Sequence, residues 1–495
     1  NYIGIINRGD YSLQLRVHLI QSAVKTIDIQ TFIWADDECG TLAFNEILKA
    51  ARRGVKIRLL IDHIASLKDP KTIAYLTTAS PNIEIKYYRP HAKQLKPAMH
   101  IYTLAALLTA GGMNQRMHNK IFIVDGALAM TGGRNYDNHY YNMSTTYNFK
   151  DRDVLVLGPT VKDAQASFER FWAYKHSVSS TDLPDVVKKL NDNNLRDESF
   201  FSNVENFGIF NEMRQAIADP QLMKERFVDT LRRADSTRYL SDDPGKNKAF
   251  WLFRMWGSSK ITKELKEIIL QTKEELVMQS PYLVINRWSR RSFKKIRKNT
   301  PDVKFIVSTN SFSATDNILA YSGNYRLRTV YLNKLQFEIY EFKPYPDLIK
   351  DEFPQYADME SIAAAQGFEK PTFPIHGKSF VMDKQVAFIG TYNLDQRSFN
   401  LNTEEGFLIH DKTIAMELRA NILRDIRSEN SWVVAKKNVL VEEIAELNRQ
   451  IEWISRLLPI DLWPIRYSSC FELRPGYEPV PRDHPDFYTR YKDIG

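Results

Sequence analysis

Apolar residues recur along this chain in two alternating rhythms. Short runs at 55–62 (VKIRLLID), 83–90 (IEIKYYRP) and 153–158 (DVLVLG) carry the β-branched and aromatic content of strands. Between them, 40–53 sets Leu42, Phe44, Ile47, Leu48 and Ala51 on one face and stops at Gly54, and 159–174 repeats the spacing with Val161, Ala164, Phe168 and Phe171. That spacing belongs to amphipathic helices, and glycine is a natural residue after a helix end. Alternating strand and helix predict an α/β fold with helices on both faces of a sheet. Residues 120–124 and 127–131 leave room only for a tight turn at Asp125-Gly126. They should pair antiparallel, so the sheet is mixed.

The same order of segments is then written a second time. Residues 19–32 (LIQSAVKTIDIQTF) match 269–282 (ILQTKEELVMQSPY), with Gln30 and Gln279 in matching places. Residues 55–62 match 303–310 (VKFIVSTN), 83–90 match 337–344 (FEIYEFKP), and 153–158 match 406–411 (GFLIHD), at offsets of 248 to 258 residues. A colinear series of this kind is an internal duplication. It divides the chain into a first half at 1–178, a polar linker or insertion at 179–248, a second half at 249–430 and a tail at 431–495. The linker holds helical-looking pieces such as 222–233. The tail opens on an amphipathic pattern at 439–458, followed by an apolar stretch around Pro459 and a Pro-, Tyr- and Arg-rich end. The expected fold is two duplicated α/β halves, each a mixed sheet flanked by helices.

Within the repeat one pattern carries chemistry. His118-Asn119-Lys120 leads into Asp125, and His376-Gly377-Lys378 leads into Asp383, 258 residues later. Both read H-x-K-x4-D. Each is followed by a strand, a glycine and an asparagine, Gly133 with Asn135 and Gly390 with Asn393. One such match arises by accident in roughly a few per cent of chains this long; two with the same flanks point to one active site built from two halves. Strand alternation sets His118 with Lys120, and His376 with Lys378, on common faces, and gives Asp125 and Asp383 the opposite parity. The aspartates are counted with the catalytic set as part of the motif, in an indirect role as buried anchors at the strand end.

Two His, two Lys and two Asn suit a phosphodiester. Ammoniums and amides stabilise the charge that a phosphoryl transition state spreads over its nonbridging oxygens. One neutral imidazole can attack phosphorus, and the other can protonate the leaving oxygen and later act as base. Each imidazole needs an orienting acceptor. Asp151 lies 33 residues after His118 and Glu404 lies 28 after His376, so the expected pairs are Asp151 with His118 and Glu404 with His376. Of the near-symmetric histidines, His118 is taken as the nucleophile.

These tandem motifs, with their trailing G-x-N and G-x-x-N, resemble the phospholipase D superfamily over residues 10–178 and 240–430. The runs DIQTFIWADDECG from Asp28, RGVKIRLLID from Arg53, MHNKIFIVDG from Met117, Ser241-Asp242-Asp243-Pro244, and IGTYNLDQRSFNLNTEEG from Ile389 resemble its bacterial cardiolipin synthase branch, in the form that joins two different phospholipids. The resemblance implies a pseudo-twofold arrangement with both motifs at the seam, a phosphohistidine intermediate, and no metal or other cofactor. It implies that Lys120, Asn135, Lys378 and Asn393 hold phosphate. Phospholipids, with phosphatidylethanolamine or phosphatidylglycerol foremost, are the expected substrates, and an anionic membrane surface the expected partner. The expected location is peripheral to a membrane, in a bacterial envelope or secreted. A nuclease of the same superfamily, or a silent lipid- or nucleic-acid-binding protein, is the alternative; intact His and Lys in both copies argue against silence.

Composition narrows the picture little further. A net charge of +8 and a pI near 9.0 favour anionic partners. The basic run 287–298 holds seven Lys and Arg and reads first as a solvated helix face. With Cys39 and Cys470 alone, a cysteine-built zinc site is excluded. No apolar run reaches the length of a membrane span. The chain begins at Asn1, which leaves room for a leader or anchor removed by processing.

Overall fold

Each copy of the repeat folds into its own sheet. The structure is a computed structural model that describes the chain except residues 65, 67–68, 91–93, 97–114, 247–258, 368 and 438–467. The first sheet contains β1 (Tyr2–Ile6), β2 (Thr26–Thr31), β3 (Lys56–Asp62), β4 (Ile83–Tyr88), β5 (Ile121–Val124), β6 (Leu128–Gly132) and β7 (Asp153–Leu157), with β8 (Ser177–Ser179) and β9 (Arg232–Arg233) at its edges. The second contains β10 (Ser236–Ser241), β11 (Glu275–Gln279), β12 (Lys304–Asn310), β13 (Glu338–Phe342), β14 (Lys378–Met382), β15 (Val386–Gly390) and β16 (Glu405–His410), extended by β17 (Ser431–Lys436), β18 (Ser468–Leu473) and β19 (Tyr491–Asp493). The order β4-β3-β2-β5-β6-β7-β1 in one sheet is repeated as β13-β12-β11-β14-β15-β16-β10 in the other. Strands β2, β3 and β4 run parallel, while β5, β6 and β7 pair antiparallel. The sheets are mixed, as the tight turn required.

Strand alternation builds two kinds of core. Phe122 and Val124 of β5 pack on the helices of their own half, among Ile27, Phe44 and Ile47. Ile121 and Ile123 turn the other way and join Val154 and Val156 against Val381, Ile389, Phe407 and Ile409 of the second half. The two sheets thus share an apolar layer, and burying it fixes one half against the other.

Two expected boundaries move. Residues 236–241, counted with the linker, form β10, which pairs along its whole length with β16. Residues 431–436, counted with the tail, form β17, paired with β13. Both are short runs whose partners are remote in sequence, so no local signal separates them from loop. The helical piece at 222–233 is broken: a helix over Pro220–Met223 gives way to a π turn at Lys224–Val228 and then to β9. The patterns at 439–458 and around Pro459 lie outside the described residues. The basic run is a helix, Arg287–Asn299, that buries Ser292, Phe293 and Ile296 and turns most of its charges to solvent.

The motif aspartates sit at the far end of their strands from the histidines, half-exposed rather than buried. Asp125 accepts from the backbone N–H groups of Val24, Lys25 and Thr26 at 3.0, 2.7 and 2.8 Å. Asp383 accepts from Lys273, Glu274 and Glu275 at 2.9, 2.8 and 3.0 Å. Both open a turn with two successive left-handed residues, Asp125 and Gly126 at φ 52° and 62°, Asp383 and Lys384 at 49° and 59°. They tie β5 and β14 to the starts of β2 and β11, which corrects a catalytic placement: the groups touch only backbone. Asp125→Ala and Asp383→Ala should each cost on the order of 1–2 kcal/mol by removing the cap from three backbone donors that water then reaches. The urea midpoint should fall while kcat per folded molecule stays unchanged; a kcat loss at constant midpoint would place the aspartates back in the chemistry. Burial alone would raise Asp125, but the N–H groups of Thr26, Val24 and Lys25 hold it below the usual carboxylate range. Its contribution is therefore full above the unfolded value of about 3.9 and is lost as pH falls through the folded value.

Candidate active site

Both histidines stand just before the strands that follow them, and backbone from the opposite half holds them there. His118 N donates to Thr403 O at 3.1 Å, and Thr403 N donates to Arg116 O at 2.9 Å. On the other side His376 N donates to Lys150 O at 2.8 Å, and Lys150 N donates to Pro374 O at 2.9 Å. Thr403 and Lys150 immediately precede Glu404 and Asp151. Each motif therefore runs as a short parallel ladder beside the carboxylate segment of the other half.

The imidazoles meet the carboxylates accordingly. His118 Nδ1 lies 2.8 Å from Glu404 Oε2, and His376 Nδ1 lies 2.6 Å from Asp151 Oδ2. This reverses the expected pairs, Asp151 with His118 and Glu404 with His376. Within one half, β6 separates β5 from β7, so Asp151 is two strand spacings, roughly 10 Å, from the strand of His118. Across the seam the distance is a single hydrogen bond. With each Nδ1 bound to a carboxylate, the tautomer is set and Nε2 is left for the reaction.

The remaining predicted groups gather around these pairs, all buried. Lys120 Nζ donates to His118 O at 2.8 Å. Lys378 Nζ donates to His376 O and stands 2.9 Å from His376 Nδ1. Asn135 Oδ1 accepts from Ile33 N at 3.1 Å, which leaves its amide N–H groups to donate. Asn393 N donates to Ser398 Oγ, whose own hydroxyl donates to Glu404 Oε1 at 2.6 Å. Aromatic edges close the walls: Phe32 lies 5.2 Å from the His118 ring, and Phe149 and Tyr140 lie 4.7 and 5.1 Å from that of His376. Gly133 is required here, because a Cβ would stand 2.3 Å from both oxygens of Asp151.

Burial dominates the electrostatics. It pushes His118 down to about 4 against the pull of Glu404, with Lys120 adding to the fall. His376 is lowered by burial and by Lys378, against Asp151. Burial and the charge of Lys378 press Lys120 down to about 7, and burial takes Lys378 to about 8. Burial would raise Glu404 and Asp151, but the adjacent histidines hold both below the carboxylate range. The site is thus built for an anion: a phosphate entering it would restore full charge to both lysines.

Several supporting groups escaped the sequence reading. Asp62, at the end of β3, takes Arg116 at 2.8 Å and Met117 N at 2.9 Å, fixing the approach to His118. Its counterpart Asn310, at the end of β12, clasps Ile375 through both backbone groups at 2.7 and 2.9 Å. Asp242 Oδ2 accepts from Glu404 N at 3.1 Å and from Lys246 Nζ at 3.0 Å. Glu405 accepts from Asn119 Nδ2 and Lys120 N across the seam, and Arg152 donates to Gln279 and Ser379 in the opposite sense. The matching positions of Asp62 with Asn310 and of Arg152 with Glu405 in the repeat were the available signal.

Two imidazole–carboxylate couples and two buried ammoniums thus meet at the seam between two matching sheets, the arrangement that the resemblance to the phospholipase D superfamily implies. A family model described as cardiolipin synthase, PLD-like domain, matches residues 17–172 and 265–426, most of both halves. The chain belongs to this family, and it is an enzyme of the phosphatidyltransferase kind. Cardiolipin synthase C of Escherichia coli (strain K12) is 31% identical over 405 residues, covering 81% of this chain and 79% of its own. Cardiolipin synthase B of Salmonella typhimurium is 25% identical, covering 85% and 79%. The crystal structure of a phosphatidylserine synthase from Haemophilus influenzae shares the fold, with a TM-score of 0.57 at 15% identity over 92% of each chain.

Proposed function

We propose that this protein moves a phosphatidyl group from one glycerophospholipid to the hydroxyl of a second, through a phosphohistidine. The crossed His–carboxylate pairs carry the reading, since they supply two imidazoles with fixed tautomers on one phosphate site. We take His118 as the nucleophile: burial lowers both imidazoles, but Glu404, the partner of His118, already takes two hydroxyls, from Thr391 and Ser398, and so supports an imidazolium less than Asp151 does. Its Nε2 attacks phosphorus while His376 gives a proton to the leaving head-group oxygen. His376 then removes the proton of the incoming alcohol, whose oxygen displaces His118 and restores it. Lys120, Lys378, Asn135 and Asn393 hold the nonbridging oxygens throughout. These donors need no divalent ion to balance the charge, so turnover should persist in excess chelator.

The acceptor follows from effective concentration: a bound lipid alcohol outcompetes bulk water for phosphorus when it is held close. The names of the cardiolipin synthase relatives favour a lipid alcohol over water; we take the glycerol end of phosphatidylglycerol as that alcohol and phosphatidylethanolamine as the donor. The protein would work from the membrane surface. Among the described residues no helix is long and apolar enough to cross a bilayer, while the exposed charges of helix Arg287–Asn299 suit an anionic face. Given both lipids in mixed micelles, the enzyme should form cardiolipin and release ethanolamine. With donor alone it should form phosphatidic acid slowly. Phosphatidic acid as the main product despite abundant acceptor would make the protein a hydrolase, and cleavage of oligonucleotides alone would make it a nuclease.

A further inference from the structure

The two halves differ behind the phosphate site. In the first, the ring of Trp34 is stacked between Phe44 and Tyr136, with centroids 4.2 and 4.3 Å away, and the Arg16 guanidinium lies 6.0 Å from the Tyr136 centroid. These groups lie beside the helices Gly9–Ser22 and Glu38–Arg52. At the positions matching Trp34, Phe44 and Tyr136 in the second half stand Leu283, Phe293 and Leu394. Two rings have become leucines. A cavity of about 430 Å³ opens there, between helices Lys260–Ile269 and Arg287–Asn299 and the strands β11, β14 and β15. Leu265, Ile269, Ile285, Phe293, Phe380 and Leu394 form its walls.

Its two ends differ in chemistry. The buried end is lined by Asn393 and by Gln279, which binds Arg152 of the first half at 2.9 Å, so the cavity reaches the catalytic seam. The outer end is lined by the exposed Trp288, Lys263, Lys266 and Glu267, two ammoniums against one carboxylate. We propose that this cavity holds one acyl chain of a substrate phospholipid whose phosphate lies at Asn393 and the seam lysines. The inference rests on the phospholipid reading above. The volume fits: at roughly 30 Å³ for each small group, the cavity takes on the order of fourteen carbons of one chain. The polarity fits, since an apolar chamber with a few polar groups at one end is how proteins hold lipid-like ligands. The outer end fits as well, with a tryptophan and two ammoniums where an anionic lipid layer would meet the protein. In the first half the stacked rings of Phe44, Trp34 and Tyr136 stand at the matching place, so the second half sets the register of the lipid.

Two measurements test this. For monomeric phosphatidylethanolamines of increasing chain length, kcat/KM should rise about fourfold for each methylene the cavity takes up. Leu265→Trp and Ile269→Trp, which fill the cavity, should flatten that dependence and leave the shortest-chain donor turned over as by the wild type. Independently of turnover, vesicles of phosphatidylglycerol and phosphatidylethanolamine carrying a diazirine on the acyl chain should label helices Lys260–Ile269 and Arg287–Asn299 of the wild-type protein. Either filled variant that folds should lose that label. Equal kcat/KM at all chain lengths, label confined to the first half, or label retained in a folded filled variant would overturn the inference. A wild type that turns over no phospholipid counts against the proposed function instead, and the labelling pattern then decides the cavity alone.

Discussion

Replacing either motif histidine by alanine will abolish turnover, with losses of at least about 10⁴-fold in kcat for His118→Ala and His376→Ala alike. The halves look alike, yet neither histidine can stand in for the other. One must be neutral to attack phosphorus and the other must carry a proton for the leaving oxygen, and each is clamped to its own carboxylate. Because the two act as a unit, the double substitution should be hardly worse than either single one. Rapid quenching should trap phosphate on His118; label found on His376 alone reverses the roles, and full activity in either single variant would end the two-half site. The wild-type pH profile carries the same assignment. kcat/KM should fall on the acid side as His118, at about 4, gains a proton. It should fall on the alkaline side as His376, held below its ordinary value by burial and Lys378, loses the proton it must give, and further as Lys120 and Lys378, at about 7 and 8, lose theirs.

Asp151→Asn and Glu404→Gln will each lower kcat by about 10²- to 10⁴-fold, because an amide no longer fixes the tautomer of its histidine or steadies the imidazolium. The crossed geometry says which histidine responds. Asp151→Asn should lower the pKa of His376, and Glu404→Gln that of His118, since in each case the group favouring the charged imidazole is removed. Following the two ring resonances through an NMR titration separates the cases. A shift of His118 in the Asp151 variant would restore the within-half pairing and refute the crossed one. Asp242→Asn offers a graded companion, since Asp242 orients the Glu404 backbone and should disturb His118 more than His376.

Much of this molecule was legible in residue order. The strands β2 to β7 and their second copies were marked by apolar runs at nearly constant offset, and the turn at Asp125-Gly126 by its length. The groups that line the seam were marked by their repetition: two His, two Lys, two Asn and two carboxylates, each at a matching place. What escaped were segments whose meaning depends on remote partners. Residues 236–241 look like polar linker until β16 lies beside them, and Asp62 looks like a strand-end aspartate until Arg116 and Met117 close on it.

The sequence by itself determined the duplicated α/β architecture, the four His and Lys groups, and a chemistry directed at phosphodiesters. These rest on local rules: alternation in strands, three-to-four spacing in helices, and the donors a phosphate needs. Only the tertiary structure decided that His118 belongs to Glu404 and His376 to Asp151, and that Asp125 and Asp383 stand half-exposed at turns rather than buried. It alone decided that Leu265, Phe293 and Leu394 wall a chamber in the second half where stacked rings stand in the first. Each of these depends on which edges and faces of two sheets bury their apolar layer together. That is a property of the packed whole, to which distance along the chain gives no guide.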